Sequence, residues 1–209
     1  ITQLHGVPHG HAVALSLPGL AELHALRAEE NSPLQQKMQW ICSTLGCRPQ
    51  ELRGWFYKLY EDIRLPYLPA ELGIEPNRIA VGGDSAGGTL SVVSCLMARD
   101  RRAAVKPLFQ LLIYPSLDGR GCSESFRKYT DTPMWNSTLS KKVGPLLGID
   151  PSTLPLAWRS PVEADSHAGL PPAYIEVAEF DCLHDDGVLY AKLLRDNGIE
   201  VEFHEAKGT

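Results

Sequence analysis

The sequence predicts an α/β fold: a mostly parallel sheet with flanking helices, preceded by an all-helical segment. From Gly73 onward, short apolar runs alternate with amphipathic stretches, the pattern of strands that alternate with helices. One run, Leu108–Tyr114, is almost continuously apolar, as is typical of strands covered on both faces of a parallel sheet. Residues 1–73 contain helical periodicity and no clear strand. We therefore divide the chain into a helical segment, 1–73, and an α/β region, 74–209.

Three helices are predicted in the helical segment. The first spans His9–Ala28, and Pro18 is expected to interrupt it. The second spans Pro33–Leu45, with Ser32 as the cap that begins it. The third, over Pro49–Ile63, is rich in aromatic residues.

The α/β region is predicted to contain four strands and two principal helices. An excursion over residues 116–170 separates the second strand from the third and holds one helical piece near Leu139–Leu147. The order of these elements favours a doubly wound organisation. The strands are Ile79–Gly82, Leu108–Tyr114, Ala173–Ala178 and Val201–Glu205, and the helices are Gly87–Arg99 and Gly187–Asn197.

The motif GDSAGG places Ser85 where the first strand turns into the first helix of the α/β region. A G-x-S-x-G sequence in this setting is typical of a nucleophile elbow, in which a strained turn exposes the serine hydroxyl. Side chains at Gly83 and Gly87 are expected to collide with the turn, whereas Asp84 completes the corner. The amide of Ala86, at the start of the helix, is the expected donor to an oxyanion.

A serine nucleophile needs a carboxylate and an imidazole base. Asp181 follows the strand Ala173–Ala178 and is the predicted triad acid. Asp185 and Asp186 compete for that role, but we interpret them as the cap and first-turn acids of the next helix.

No histidine has an obvious place as the base. His204 lies within the last predicted strand, so we interpret it as a surface side chain. His184 stands beside the predicted acid and is expected to be solvated, and His167 lies in the excursion without an arguable partner. A separate group near the start contains His9, which could contribute a metal ligand, or else these histidines are polar residues at a helix start.

Composition excludes several classes of protein. The chain is 44% hydrophobic and 22% charged, and no apolar run is long enough to cross a membrane. A net charge of −5 argues against a nucleic-acid partner. Five scattered cysteines indicate reduced thiols in a cytoplasmic protein.

From about residue 75 to residue 209, the chain resembles the hormone-sensitive-lipase-like esterases of the α/β-hydrolase superfamily. Four segments carry this resemblance in order: RIAVGGDSAGG, LLIYPSLD, GLPPAYIEVAEFDCLHDDG and YAKLLRDNGIEVEFHEAKGT. It implies a partial α/β-hydrolase fold, with Ser85 as nucleophile, Asp181 as triad acid and Ala86 as one oxyanion donor. It also implies hydrolysis of small acyl esters without a metal or cofactor.

The same resemblance predicts impaired catalysis. The family's catalytic histidine is expected just past the position of Thr209, and its His-Gly-Gly-Gly oxyanion loop has no counterpart in residues 1–73. The strand Ile79–Gly82 is also expected to lie at an open edge of the sheet, so either the helices of residues 1–73 cover it or the chains associate into a homo-oligomer or aggregate.

Residues 1–73 resemble part of the helical domain of iron-dependent alcohol dehydrogenases and their dehydroquinate-synthase-like relatives. The segments GVPHGHAVALSLP and LYEDIRLPYLPAELGI carry this resemblance, which implies a metal ligand at His9. A chimeric chain would explain both resemblances. Two alternatives to an esterase therefore stay open: a metal-binding dehydrogenase-like remnant that uses His9, and a catalytically silent scaffold or binding module.

Overall fold

The computed structural model describes residues 9–73, 75, 78–146 and 154–209. Contacts divide the chain into two compact units, residues 1–76 and residues 77–209.

The first unit consists of helices in the residues described. The helix Pro33–Leu45 begins as predicted, because the Ser32 hydroxyl accepts a hydrogen bond from the Gln35 amide at 3.1 Å. A small core forms around Met38, Cys42 and Leu52. The helices are α1 (His9–Arg27), α2 (Pro33–Leu45) and α3 (Leu52–Asp62), with 3-10 turns at Pro49–Glu51 and Pro69–Leu72.

The predicted interruption at Pro18 is wrong, because α1 continues through this residue. A proline inside a helix removes one backbone hydrogen bond and crowds the preceding turn. The Pro18 ring is fully buried, so the apolar area it removes from water offsets part of that cost.

The second unit is built on a four-stranded parallel sheet in the order β1-β2-β3-β4, which confirms the predicted parallel sheet with flanking helices. Each predicted strand is present, with ends that differ by no more than two residues. The strands are β1 (Ala80–Asp84), β2 (Phe109–Ile113), β3 (Ala173–Ala178) and β4 (Val201–Ala206). The helices are α4 (Ala86–Asp100), α5 (Glu124–Lys128), α6 (Ser137–Leu146), α7 (Leu156–Arg159) and α8 (His184–Asp196), with a 3-10 turn at Pro161–Glu163.

The doubly wound expectation is wrong for these strands. The four strands follow one another in the sheet in the same order as in the chain. When right-handed crossovers join parallel strands in this order, all the connections lie on the same face of the sheet. Both α4 and α8 therefore cover one face, and a single core joins them to the sheet and the excursion. Its fully buried members include Val92, Leu96, Leu112, Leu117, Ile175, Val177, Tyr190 and Leu194. On the opposite face, Phe109 is 36% exposed and Leu111 is 46% exposed.

The carboxyl ends of the four strands meet at one edge of the sheet, as they must when all strands are parallel. Ser85 directly follows β1, Tyr114 follows β2, Asp181 lies three residues after β3, and β4 leads to Thr209. This edge therefore collects the polar residues predicted for catalysis. None of the helices described in either unit is sufficiently long and apolar to cross a membrane.

Candidate active site

Ser85 is the one residue between β1 and α4, as the motif predicted. Its backbone has φ 50° and ψ −118°, a conformation that costs a non-glycine residue free energy. The sheet holds it there, since the Ser85 amide donates to the Ile113 carbonyl at 2.9 Å. Within the described part of the chain, no group hydrogen-bonds to the Ser85 hydroxyl. Its Oγ is therefore free to approach a substrate.

The two glycines of the motif have different roles. A Cβ at Gly83 would lie 2.4 Å from the backbone carbon of Gly87, so no side chain fits there. A Cβ at Gly87 would meet only Asp84 Oδ1, at 3.8 Å, which is ordinary contact. The expected collision at Gly87 is therefore wrong. Instead, the backbone of Gly87 occupies the space that a side chain at Gly83 would need. Gly88 was missed, and a Cβ there would lie 2.6 Å from Pro115 Cβ.

Ala86 is the first residue of α4, so its amide has no acceptor within the helix. The positive end of the helix dipole adds to the attraction of this amide for negative charge. The next amides of α4 share that property, but Ala86 is the residue adjacent to Ser85.

Ser85 and Asp181 line the same cavity, which has a volume of about 660 Å³. Asp181 Oδ1 accepts a hydrogen bond from the Leu183 amide at 2.9 Å, which fixes the orientation of this carboxylate. The cavity is lined by Asp84, Ser85, Tyr114, Thr132, Pro133, Met134, Trp135, Ala178, Phe180, Asp181, Leu183 and Thr209.

Much of the cavity wall is apolar and was not predicted. Met134 and Trp135 come from the excursion, and Phe180 comes from the loop that carries Asp181. The turn that presents them is fixed by a hydrogen bond from the Thr132 hydroxyl to the Trp135 carbonyl at 2.8 Å. The adjacent apolar pair after Pro133 was the available signal. Such a wall suits the hydrocarbon part of an uncharged substrate.

None of the three histidines of the second unit lines the cavity. His204 is exposed on β4, as expected. His184 is not simply solvated: its Nδ1 lies 2.9 Å from Asp185 and its Nε2 lies 3.3 Å from Glu205. His167 is buried, with Nε2 3.0 Å from the Pro161 carbonyl, and burial lowers its pKa.

Asp185 and Asp186 lie in the first turn of α8, and the sequence did not predict what they bind there. Asp185 Oδ2 accepts from the Ser125 amide at 2.8 Å, which joins α8 to α5. Asp186 is buried and accepts from the amides of Leu117 and Asp118, both at 2.9 Å. Neither carboxyl lines the cavity, whereas Asp84 and Asp181 both do.

The metal hypothesis receives no structural support. The His9 side chain lies outside the described residues, and those described contain no group of three or more His, Cys, Asp or Glu residues that could hold a metal ion.

Comparison with known proteins assigns the family. A family model described as alpha/beta hydrolase fold matches residues 36–209, and the chain belongs to this family. The match confirms the resemblance of the α/β region to this superfamily. It also begins inside the helical segment, so it includes residues 59–74, the segment LYEDIRLPYLPAELGI that resembles the dehydrogenases. The comparisons contain no support for the dehydrogenase-like domain.

Curated relatives are carboxylic ester hydrolases. Carboxylesterase NlhH of Mycobacterium tuberculosis is 43% identical over 138 residues, 64% of this chain and 42% of the relative. An arylesterase of Saccharolobus solfataricus is 33% identical over 130 residues, 62% of this chain and 42% of the relative. The chain therefore spans less than half the length of these relatives.

Solved structures agree with this assignment. A Pyrobaculum calidifontis esterase matches with a TM-score of 0.62 and 33% identity, over 73% of this chain and 50% of that one. A bacterial heroin esterase matches with a TM-score of 0.57 and 33% identity, over 75% of this chain and 49% of that one.

Proposed function

We propose that this chain carries the nucleophile and acid of a serine hydrolase that acts on small, uncharged acyl esters. The observation that carries the proposal is Ser85: a strained residue between a strand and a helix, in one cavity with the Asp181 carboxyl. The names of the relatives support ester substrates. The apolar wall beside Ser85 supports an uncharged acyl group.

In this mechanism, Ser85 Oγ attacks the acyl carbon while its proton passes to an imidazole base. The amide of Ala86 donates to the oxygen that becomes negative, and Asp181 orients the base and stabilises its charged form. Collapse of the tetrahedral species expels the alcohol with that proton and leaves an acyl-Ser85 ester. Water then repeats the sequence and releases the carboxylic acid.

We further propose that this chain alone hydrolyses esters poorly. No described residue that lines the cavity is a histidine, and Ala86 supplies one oxyanion donor where the resemblance implies further donors. Loss of the triad base costs about a millionfold in turnover. Loss of one oxyanion donor costs about a hundredfold to a thousandfold.

The test is hydrolysis of p-nitrophenyl butyrate by the chain, its Ser85→Ala variant and its Ser94→Ala variant. Ser94 is a matched control because it lies on the exposed side of α4 and bonds only within that helix. Because the described cavity supplies no base, we expect rates close to background in all three proteins. A rate well above background that is lost in Ser85→Ala and kept in Ser94→Ala would contradict the proposal of poor hydrolysis, and one that survives in Ser85→Ala would contradict the proposal that Ser85 is the nucleophile.

We also propose that copies of this chain associate through the sheet. The outer strand β1 borders the sheet on one side, and the exposed Phe109 and Leu111 lie on the face that α4 and α8 leave open. A cytoplasmic setting is likewise proposed, supported by five cysteines that form no disulfide. A metal site at His9 and a foreign origin for residues 1–73 gain no supporting observation.

A further inference from the structure

The Asp186 carboxyl is buried at the start of α8, where the mechanism above gives it no role. It is 3% exposed, and one of its oxygens, Oδ2, accepts hydrogen bonds from the amides of Leu117 and Asp118. Gly187 permits this close approach, because a Cβ there would lie 2.4 Å from Val177 Cγ1. The first turn of α8 therefore lies close against the sheet and holds the loop that follows β2.

The same loop holds the backbone of the nucleophile. The Ser116 amide donates to the Ser85 carbonyl at 3.2 Å, and the Thr89 hydroxyl donates to the Ser116 carbonyl. Pro115 is fully buried, and Gly88 of α4 leaves the space that its ring occupies. Motion of this loop would therefore disturb the Ser85 peptide directly.

We propose that Asp186 is a positioning residue for Ser85. By holding two successive amides of the loop, its carboxyl keeps the Ser116 amide on the Ser85 carbonyl and so stabilises the strained Ser85 backbone. This inference rests on the proposed function, since it assigns a role in preparing Ser85 for attack.

The hydrogen bonds, rather than the charge, carry this role. The surroundings disfavour a negative charge, because burial and the neighbouring carboxyls of Asp118 and Asp185 oppose it, and Cys182 is also nearby. The guanidinium of Arg120 donates two hydrogen bonds to the Asp118 carboxylate, at 2.7 Å each, so it is paired with Asp118 rather than with Asp186. An uncharged acid or an amide oxygen still accepts both amides. Asparagine at position 186 should therefore preserve the positioning of Ser85, and alanine at this position should not.

The experiment measures amide hydrogen exchange by NMR in the wild type, Asp186→Ala, Asp186→Asn and Asp185→Ala. Asp185 is a matched control, because it lies in the same turn but binds the Ser125 amide instead. In Asp186→Ala we expect about tenfold to a hundredfold faster exchange at Leu117, Asp118, Ser116 and Ser85, from the loss of two buried hydrogen bonds. Asp186→Asn should stay near the wild type, and Asp185→Ala should accelerate Ser125 alone.

Faster exchange at Leu117 and Asp118 with Ser116 and Ser85 unchanged would overturn the inference. Loss of protection in Asp186→Asn equal to that in Asp186→Ala would also overturn it. If Asp186→Ala does not fold, native-state exchange of the wild type in low denaturant replaces it. The four amides should then open with one common free energy, and separate opening of Ser85 and Ser116 contradicts the role.

Labelling of Ser85 by a fluorophosphonate, with free imidazole in the buffer to supply the base, separates this inference from the proposed function. Reduced labelling in Asp186→Ala, restored in Asp186→Asn, supports both. A wild type that exchanges as expected but shows no labelling above its Ser85→Ala variant would contradict the proposed function and leave the positioning of the Ser85 backbone intact.

Discussion

A single residue position can decide whether the corner at Ser85 forms, and the two motif glycines illustrate this. They look equivalent in the sequence, because each lies two residues from Ser85. In the structure, a side chain at Gly83 would meet the backbone of Gly87, whereas a side chain at Gly87 would point into open space beside Asp84. Of these two glycines, Gly83 is therefore the one that must lack a side chain, and the reason is the position of the Gly87 backbone.

Gly83→Ala and Gly87→Ala should consequently behave differently. We expect Gly83→Ala to lower the free energy of unfolding by about 1–3 kcal/mol, the usual cost of overpacking, and to abolish any Ser85-dependent labelling. Gly87→Ala should be neutral or raise it by up to about 1 kcal/mol, because alanine favours a helix. Urea denaturation of the two variants measures this. Equal destabilisation would show that both positions exclude a side chain.

Asp186 also predicts a pH dependence of stability. Burial raises the pKa of Asp186 to about 7, from 3.8 for an ordinary aspartate. The folded chain therefore retains a proton between about pH 4 and pH 7 that the unfolded chain has released, so this group makes stability fall as the pH rises through that range. Across this pH range, the free energy of unfolding should fall by an amount on the order of a few kcal/mol.

The measurement is urea denaturation of the wild type and Asp186→Asn at several pH values from 4.5 to 8. Asparagine does not titrate, so the stability of the wild type relative to this variant should fall with rising pH and level off above pH 7 to 8. Parallel profiles for the two proteins would show that Asp186 is ionised throughout.

At the scale of elements, the sequence predicted regular structure well and the excursion poorly. Strands and helices follow from local periodicity and from caps such as Ser32, which act over a few residues. The cavity wall at Met134 and Trp135, and the binding of Asp186 to the loop after β2, depend on residues about 45 to 70 positions apart. Such pairings have no local signature, so the sequence-based prediction of the site, limited to the motif around Ser85 and to Asp181, did not extend to them.

The open face of the sheet carries a prediction at this scale. A parallel sheet normally has helices on both faces, yet Leu111 is 46% exposed on β2. If copies associate through this face, Leu111→Lys should reduce the association, because burying a lysine there requires removing its charge from water.

Sedimentation velocity over a range of protein concentrations measures this association. Val188→Lys is the matched control, since Val188 is 41% exposed on α8, away from this face. An oligomer that persists in Leu111→Lys, or a monomer at all concentrations in the wild type, would contradict association through the sheet.

At the scale of the whole molecule, the α/β unit brings together residues that are far apart in the chain. Ser85 comes from the end of β1, Asp181 from the loop after β3, and Thr209 from the segment after β4, and all three line one cavity. The Phe180 amide donates to the Thr209 carbonyl at 2.7 Å, so this segment is tied to the loop that carries Asp181. A base placed directly after Thr209 would therefore start from the cavity wall, beside Asp181.

This arrangement predicts that extending the chain by His-Gly-Phe after Thr209 should create Ser85-dependent hydrolysis of p-nitrophenyl butyrate. The triad base accounts for about a millionfold in turnover, and each oxyanion donor that the proposed mechanism lacks lowers the rate by about a hundredfold to a thousandfold, so we expect a gain of at least about a hundredfold. The gain should disappear in Ser85→Ala and fall steeply in Asp181→Asn, because the base then loses its orienting carboxylate. A chain extended by Ala-Gly-Phe is the matched control, since it has the same length without the imidazole. Equal rates for the two extensions would show that the cavity at Thr209 does not present a base to Ser85, and the assignment of Asp181 as triad acid would fail with it.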